Sequence, residues 1–176
     1  QASRIVSVGR VRTPYLPRRL VYDTMSCQNC GHMWCVGDTG PEVLERIYSD
    51  DFHRSPQQLA TDDRDDLLMQ RSPVVVNARN RARWLKSLRP GGRLLDVGAG
   101  NGYFVGTARQ QGFDAEGVDL SAQASAAAHA LGVKVHAGDF LRSERVVGPF
   151  DILTMWDVLC GFPDPHQALA RARPLL

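Results

Sequence analysis

The stretch Leu94-Leu95-Asp96-Val97-Gly98-Ala99-Gly100-Asn101-Gly102-Tyr103-Phe104 decides the fold. An apolar run enters three glycines at alternate positions and leaves into a helix-like pattern. Glycine is needed where the backbone takes unusual dihedrals or where a ligand approaches closely. The helix that follows offers N–H groups and a positive end. Such a strand–turn–helix unit suits the polar part of a nucleotide-like ligand.

Working outward, short apolar runs alternate with helix-like stretches. The pattern predicts strands over Arg93–Val97, Ala115–Leu120, Val133–His136 and Phe150–Val158. Between and after them it predicts helices over Tyr103–Gln111, Ala122–Leu131 and Pro165–Leu176. This alternation implies βαβ units and a parallel sheet, with ligands at the carboxyl ends of the strands. Upstream, Val74–Leu88 reads as a helix stopped by Arg89-Pro90-Gly91-Gly92. A helix from Pro41, with Val43, Leu44, Ile47 and Tyr48 on one face, is also expected. Asp62-Asp63-Arg64-Asp65-Asp66 reads as a loop or a helix start, and residues 1–40 as small strands and turns.

Composition excludes several classes. The 176 residues are 43% hydrophobic and 23% charged, enough apolar material for a buried core. No apolar run reaches membrane-spanning length. A net charge of +2 is too small to argue for nucleic acid. The positive charge is almost all arginine, with Lys86 and Lys134 the only lysines, which reads as coding bias. Arg4, Arg10, Arg12, Arg18 and Arg19 near the start read as a solvated segment rather than a phosphate contact.

Two ligands compete for the glycine turn. A dinucleotide fingerprint reads G-x-G-x-x-G, but here the third glycine comes one place early and Tyr103 stands in its position. Asp96 also lies two residues before the first glycine, where its charge would oppose a pyrophosphate. A ligand with an ammonium group tolerates Asp96 far better, and S-adenosylmethionine is one.

Here the chain resembles the class I S-adenosylmethionine-dependent methyltransferases. Asp96-Val97-Gly98-Ala99-Gly100-Asn101-Gly102 resembles their first motif, D-x-G-x-G-x-G. Gly117-Val118-Asp119-Leu120-Ser121 resembles the second-strand motif, whose acid binds the ribose hydroxyls. Gly138-Asp139-Phe140 resembles the adenine-holding motif after the third strand. Phe150–Leu159, with Trp156 near its end, resembles the fourth strand, and Phe162-Pro163-Asp164-Pro165 the turn after it. The resemblance runs from residue 93 to residue 176 and implies a cofactor set: Asp96, Gly98, Ala99, Gly100, Asn101, Gly102, Asp119, Leu120, Asp139, Phe140 and Trp156. Read without the resemblance, the glycines serve a tight turn, Asp119 caps the helix near Ala122, and Asp139 is a turn residue.

The resemblance implies an α/β, Rossmann-like fold. Its complete form has seven strands ordered 3-2-1-4-5-7-6, of which about four fall in this chain. Residues 91–176 form the cofactor-binding domain, 41–90 a helical cap or linker, and 1–40 a zinc-ribbon-like segment. The chain by itself is then expected to be a fragment, with an apolar fourth strand at its edge, aggregation-prone and inactive.

Cys27-Gln28-Asn29-Cys30-Gly31-His32 is a C-x-x-C-G knuckle, which can hold one side of a tetrahedral zinc. Many small-molecule methyltransferases of this class carry an N-terminal zinc ribbon with two such knuckles. Tyr22, Cys27, Cys30, Gly31, His32, Trp34 and Tyr48 are similar to the second. The resemblance implies Cys27 and Cys30 as zinc ligands, with the first knuckle upstream and Cys35 a strand residue. The other reading is metal-free cytosolic cysteines.

No catalytic residue is assigned. Relatives carry Glu-His after the fourth strand, and this chain has Cys160-Gly161 there. Asp157, Cys160, His166 and Tyr48 are nearby candidates, each with an ordinary structural reading. No Asn/Asp-Pro-Pro-Tyr/Phe follows the fourth strand, which argues against methylation of nucleic-acid bases. The expected activity is methyl transfer to a small-molecule acceptor, by O- or C-methylation. The expected setting is cytoplasmic, with no nucleic acid or membrane partner. Two alternatives stand beside it: an NAD(P)-dependent oxidoreductase, and a non-catalytic zinc-ribbon and Rossmann-like binding protein.

Overall fold

The computed structural model describes residues 5–12, 21–37 and 73–176. The helix expected from Pro41 through Tyr48 and the acidic stretch Asp62–Asp66 lie outside them. The chain divides into two compact units, Gln1–Ile47 and Tyr48–Leu176. In the first, β1 (Ile5–Arg12), β2 (Val21–Cys27) and β3 (Met33–Val36) form an antiparallel sheet in that order.

The second unit opens with α1 (Pro73–Leu88). Proline suits a first helical position because its missing N–H has no partner there anyway. Val75, Ala78, Ala82 and Leu85 recur at helical spacing and are the buried residues of α1. Then follow β4 (Gly92–Val97), α2 (Tyr103–Gln110), β5 (Phe113–Asp119), α3 (Ala122–Ala130), β6 (Val135–Ala137), β7 (Ile152–Thr154) and α4 (Pro165–Ala172).

The four strands β4 to β7 are parallel and ordered β6-β5-β4-β7. This matches the first four places of the expected order, 3-2-1-4. Leu94, Leu95, Asp96 and Val97 are all buried, as a central parallel strand must be. Alternate side chains serve opposite faces. Leu94 joins Val75, Ala82, Phe104, Val105 and Ala128 in one core. Leu95 and Val97 join Val118, Phe140, Phe150 and Leu175 in the other. Glu116, the buried acid of β5, pairs with Lys134 and lies 3.8 Å from the Arg93 guanidinium.

Two boundaries correct the sequence pattern. The fourth strand spans only Ile152–Thr154 rather than Phe150–Val158. Phe150 is a core anchor before the strand, and its N–H donates to the Leu175 carbonyl at 2.6 Å. Beyond Thr154 the chain turns, and Asp157 takes φ 57. The final helix stops at Ala172, and a 3-10 turn follows over Arg173–Leu175. Pro174 lacks the N–H that an α-helix would need there.

β5 must carry a glycine beneath the turn that follows β4. A Cβ on Gly117 would lie 2.5 Å from Ala99 Cβ and 3.1 Å from Val105 Cγ2. Ala99 Cβ is fixed to the turn backbone and cannot swing aside. Gly117→Ala is therefore expected to destabilise this unit by ~1–3 kcal/mol through overpacking. Urea unfolding should show a lower midpoint at unchanged slope.

Candidate cofactor site

The strands β4, β5, β6 and β7 end side by side at Val97, Asp119, Ala137 and Thr154, and the glycine turn sits on this edge. Gly98, Gly100 and Gly102 take φ 74, 52 and 76, a region that side chains other than glycine's rarely enter. The turn is tied to the end of β5. Gly98 N–H and Ala99 N–H both donate to the Val118 carbonyl, at 2.8 and 3.2 Å. Gly100 N–H donates to Asp119 Oδ2 at 2.7 Å. At Gly98 a Cβ would meet Val158 Cγ2 at 2.5 Å, so the segment after β7 closes directly over the turn.

Asp119 also accepts from Ser121 N–H, through Oδ1 at 2.9 Å. Each carboxylate oxygen thus receives one backbone N–H. A carboxylate oxygen has two lone pairs, so a carboxylate can accept from both hydroxyls of a diol. The capping alternative goes to a neighbour: Ser121 Oγ accepts from Ala124 N–H at 3.0 Å and caps α3. α2 starts at Gly102 without any side-chain cap.

Asp96 lies at the base of the turn, only 3% exposed. Thr154 Oγ1 meets its Oδ1 at 2.7 Å. Burial pushes the Asp96 carboxyl up to about 7, more than the Thr154 hydroxyl and the Arg81 guanidinium pull it down, and Asp119 adds to the rise. No cation forms an ion pair with Asp96 among the described residues. A buried acid without a cation, beside an acid with acceptor capacity for a diol, fits an ammonium-bearing nucleoside. The same pair suits a pyrophosphate poorly.

Other expected site residues are placed differently. Asp139 follows Gly138, whose N–H donates to the Asp119 carbonyl at 2.8 Å. Its own Oδ1 accepts from Leu141 N–H at 2.9 Å, shaping the turn. Phe140 is 4% exposed within the core and meets Phe162 edge-on. Leu120 is exposed beside Asp119 and Asn101 half-buried in the turn. Trp156 packs on Phe104 at a centroid distance of 5.5 Å and against Trp84 at 6.1 Å.

The sequence reading missed Arg81 and Thr154. Arg81 of α1 lies over the Trp156 ring, 4.7 Å from its centroid, and donates to Asp157 Oδ2 at 2.6 Å. Its place three residues after buried Ala78 was a signal hidden among many arginines. Thr154 was visible as a hydroxyl in an otherwise apolar run. Among the catalytic candidates, Cys160 is exposed with its thiol 3.8 Å from the Asp157 carbonyl. His166 is an exposed first-turn residue of α4, its N–H bonded to the capping Asp164. Tyr48 lies outside the described residues.

In the first unit, Cys27 and Cys30 bracket a turn closed by Gly31 N–H on the Cys27 carbonyl at 2.8 Å. Backbone N–H groups of Cys30 and Asn29 hold the Cys27 thiol below its ordinary range. Cys35 lies on β3, and no group of three or more His, Cys, Asp or Glu side chains converges among the described residues. The described residues do not complete a zinc site. Among them no helix is long and apolar enough to cross a membrane either.

Comparison with known proteins agrees with this geometry. A family model described as a methyltransferase domain matches residues 69–176. The ubiquinone biosynthesis O-methyltransferase of Ralstonia nicotianae is 34% identical over 105 residues, covering 54% of this chain and 44% of that protein. The chain thus spans less than half the length of that curated relative. Magnesium protoporphyrin IX methyltransferase from Synechocystis PCC 6803, solved with bound SAM, aligns with a TM-score of 0.57 and 16% identity, over 80% of this chain and 73% of its own. A plantazolicin methyltransferase in complex with SAH aligns with a TM-score of 0.52 and 18% identity, over 76% and 52%. These two structures show the fold alone. With the family model matching more than half of its residues, the chain belongs to the methyltransferase domain family.

Proposed function

We propose that the site binds S-adenosylmethionine and that the protein transfers its methyl group to a small-molecule acceptor. The observation that carries this is the pair of acids at the strand ends. Asp119, held by the N–H groups of Gly100 and Ser121, is placed to take a diol, and buried Asp96, without an ion-pair partner among the described residues, is placed to take an ammonium. In this reading Gly98, Ala99, Gly100, Asn101 and Gly102 form the bed for the amino-acid part. Leu120, Asp139, Phe140 and Trp156 complete the surroundings, with Phe140 acting from the core rather than as a contact surface.

When bound, the cofactor supplies an activated methyl group on a sulfonium. The chain's own work is then positioning and water exclusion. Asp119 orients the nucleoside end and Asp96 the amino-acid end. Val158, packed over Gly98, closes one side. O-methylation is favoured, because the curated relative is named an O-methyltransferase. Cys27 and Cys30 would supply two ligands of a zinc knuckle.

Titration calorimetry with S-adenosylhomocysteine and with NAD tests the cofactor reading. Homocysteine-nucleoside binding without NAD binding is expected, and the reverse would establish the oxidoreductase reading instead. Asp119→Asn removes the charge while keeping an amide oxygen for one of its two N–H partners. The expected result is weaker S-adenosylhomocysteine binding, on the order of ten- to a hundredfold, as hydrogen bonds to a charged group are worth ~1.5–3 kcal/mol. An unchanged affinity would remove Asp119 from the site.

A further inference from the structure

Asp157 is the one residue other than glycine with positive φ among those described, at 57. A side chain in the left-handed region stays there only where surrounding contacts hold it, and such residues collect at functional sites. The two residues before Asp157 are anchored on opposite faces of the sheet. Met155 packs against one core and Trp156 against the other. The reversal at Asp157 then lays Val158 over the glycine turn. Val158 Cγ2 lies 2.5 Å, and its Cβ 2.8 Å, from where a Cβ on Gly98 would stand. The bend thus sets one wall of the cofactor site.

The contacts that fix the bend come from α1. Arg81 lies over the Trp156 ring, 4.7 Å from its centroid, and its Nη2 donates to Asp157 Oδ2 at 2.6 Å. One guanidinium therefore grips two consecutive residues. The Trp156 ring also meets Phe104 and Trp84 edge-on, while its Nε1 is buried without a hydrogen-bond partner among the described residues. Packing and the guanidinium stack hold the indole, not a hydrogen bond. A planar guanidinium suits this double task, because it stacks by its face and pairs by its edge. The Asp157 side chain is 81% exposed and that of Arg81 29%. A pair with one partner so exposed is worth little by itself. Here the stack prearranges the guanidinium, so less freedom is lost in forming the bond.

We propose that Arg81 and Asp157 form a latch that positions Val158 over the glycine turn, which makes both of them positioning residues for the cofactor. The latch acts through Val158 and requires no contact of its own with the ligand. It also accounts for the residue type at 157. Asp and Asn tolerate left-handed backbone better than other side chains, and of the two only Asp brings a charge to Arg81. The proposal rests on the cofactor reading given above.

The test is calorimetry of S-adenosylhomocysteine binding to the full chain, with urea unfolding of each variant alongside. Arg81→Gln and Asp157→Asn each remove the ion pair, and Asn keeps the tolerance for left-handed backbone. Each is expected to weaken binding on the order of three- to tenfold, the scale of a partly exposed pair with an aromatic stack. The double variant should bind no worse than the weaker single, because either change opens the same latch. Val158→Ala, which trims the wall itself, should weaken binding to a similar degree. Adding Asp157→Asn to Val158→Ala should then weaken it no further.

Full-strength binding in both single variants would overturn the proposal, and so would losses that add in the double variant. A further loss from Asp157→Asn on top of Val158→Ala would rule out the route through Val158. Losses that follow the urea midpoint across the series would make the pair a prop of the fold and remove its positioning role. Absence of S-adenosylhomocysteine binding in wild type would instead overturn the cofactor reading beneath it.

Discussion

The site depends on the bond between the glycine turn and the end of β5. Gly98, Ala99 and Gly100 reach across with three N–H groups, two to the Val118 carbonyl and one to the Asp119 carboxylate. A turn made of glycines is entropically costly to order. Here that cost is offset by anchoring it to a neighbouring buried strand. The anchor requires close approach, and close approach requires Gly117. The same contact aims Asp119, so the shape of the turn and the direction of the acid have one cause.

Around that anchor, charge is distributed by burial. Asp119 is half-exposed and accepts from the backbone N–H groups of Gly100 and Ser121. Asp96 is enclosed, and burial favours its neutral form more strongly than the Thr154 hydroxyl opposes it. Arg81 of α1 reaches the segment after β7, where Asp157 takes a positive φ and meets its guanidinium.

Much of the fold was legible in the sequence. The switch from short apolar runs to helix-like stretches located β4, α2, β5 and α3 to within two residues. Glycines at 98, 100 and 102 marked the turn because no other residue takes those dihedrals at low cost. The run Phe150–Val158 misled, because apolar residues serve a core in any conformation. Phe150 and Trp156 are packed from irregular backbone on opposite faces of the sheet, and only Ile152–Thr154 pairs with β4. Phe140, an aromatic beside a motif acid, lies in the core.

By itself, the sequence determined the strand–turn–helix unit, the strand order through its family resemblance, and the identity of the acids at the strand ends. Those features are local, set by residue type and spacing along a few turns of chain. Only the tertiary structure decided that Arg81 joins Asp157, that Thr154 meets Asp96, and that Val158 closes over Gly98. Those pairs lie 58 to 76 residues apart for the two hydrogen bonds. Contacts between distant segments depend on how helices and strands pack in three dimensions, which spacing along one chain does not encode.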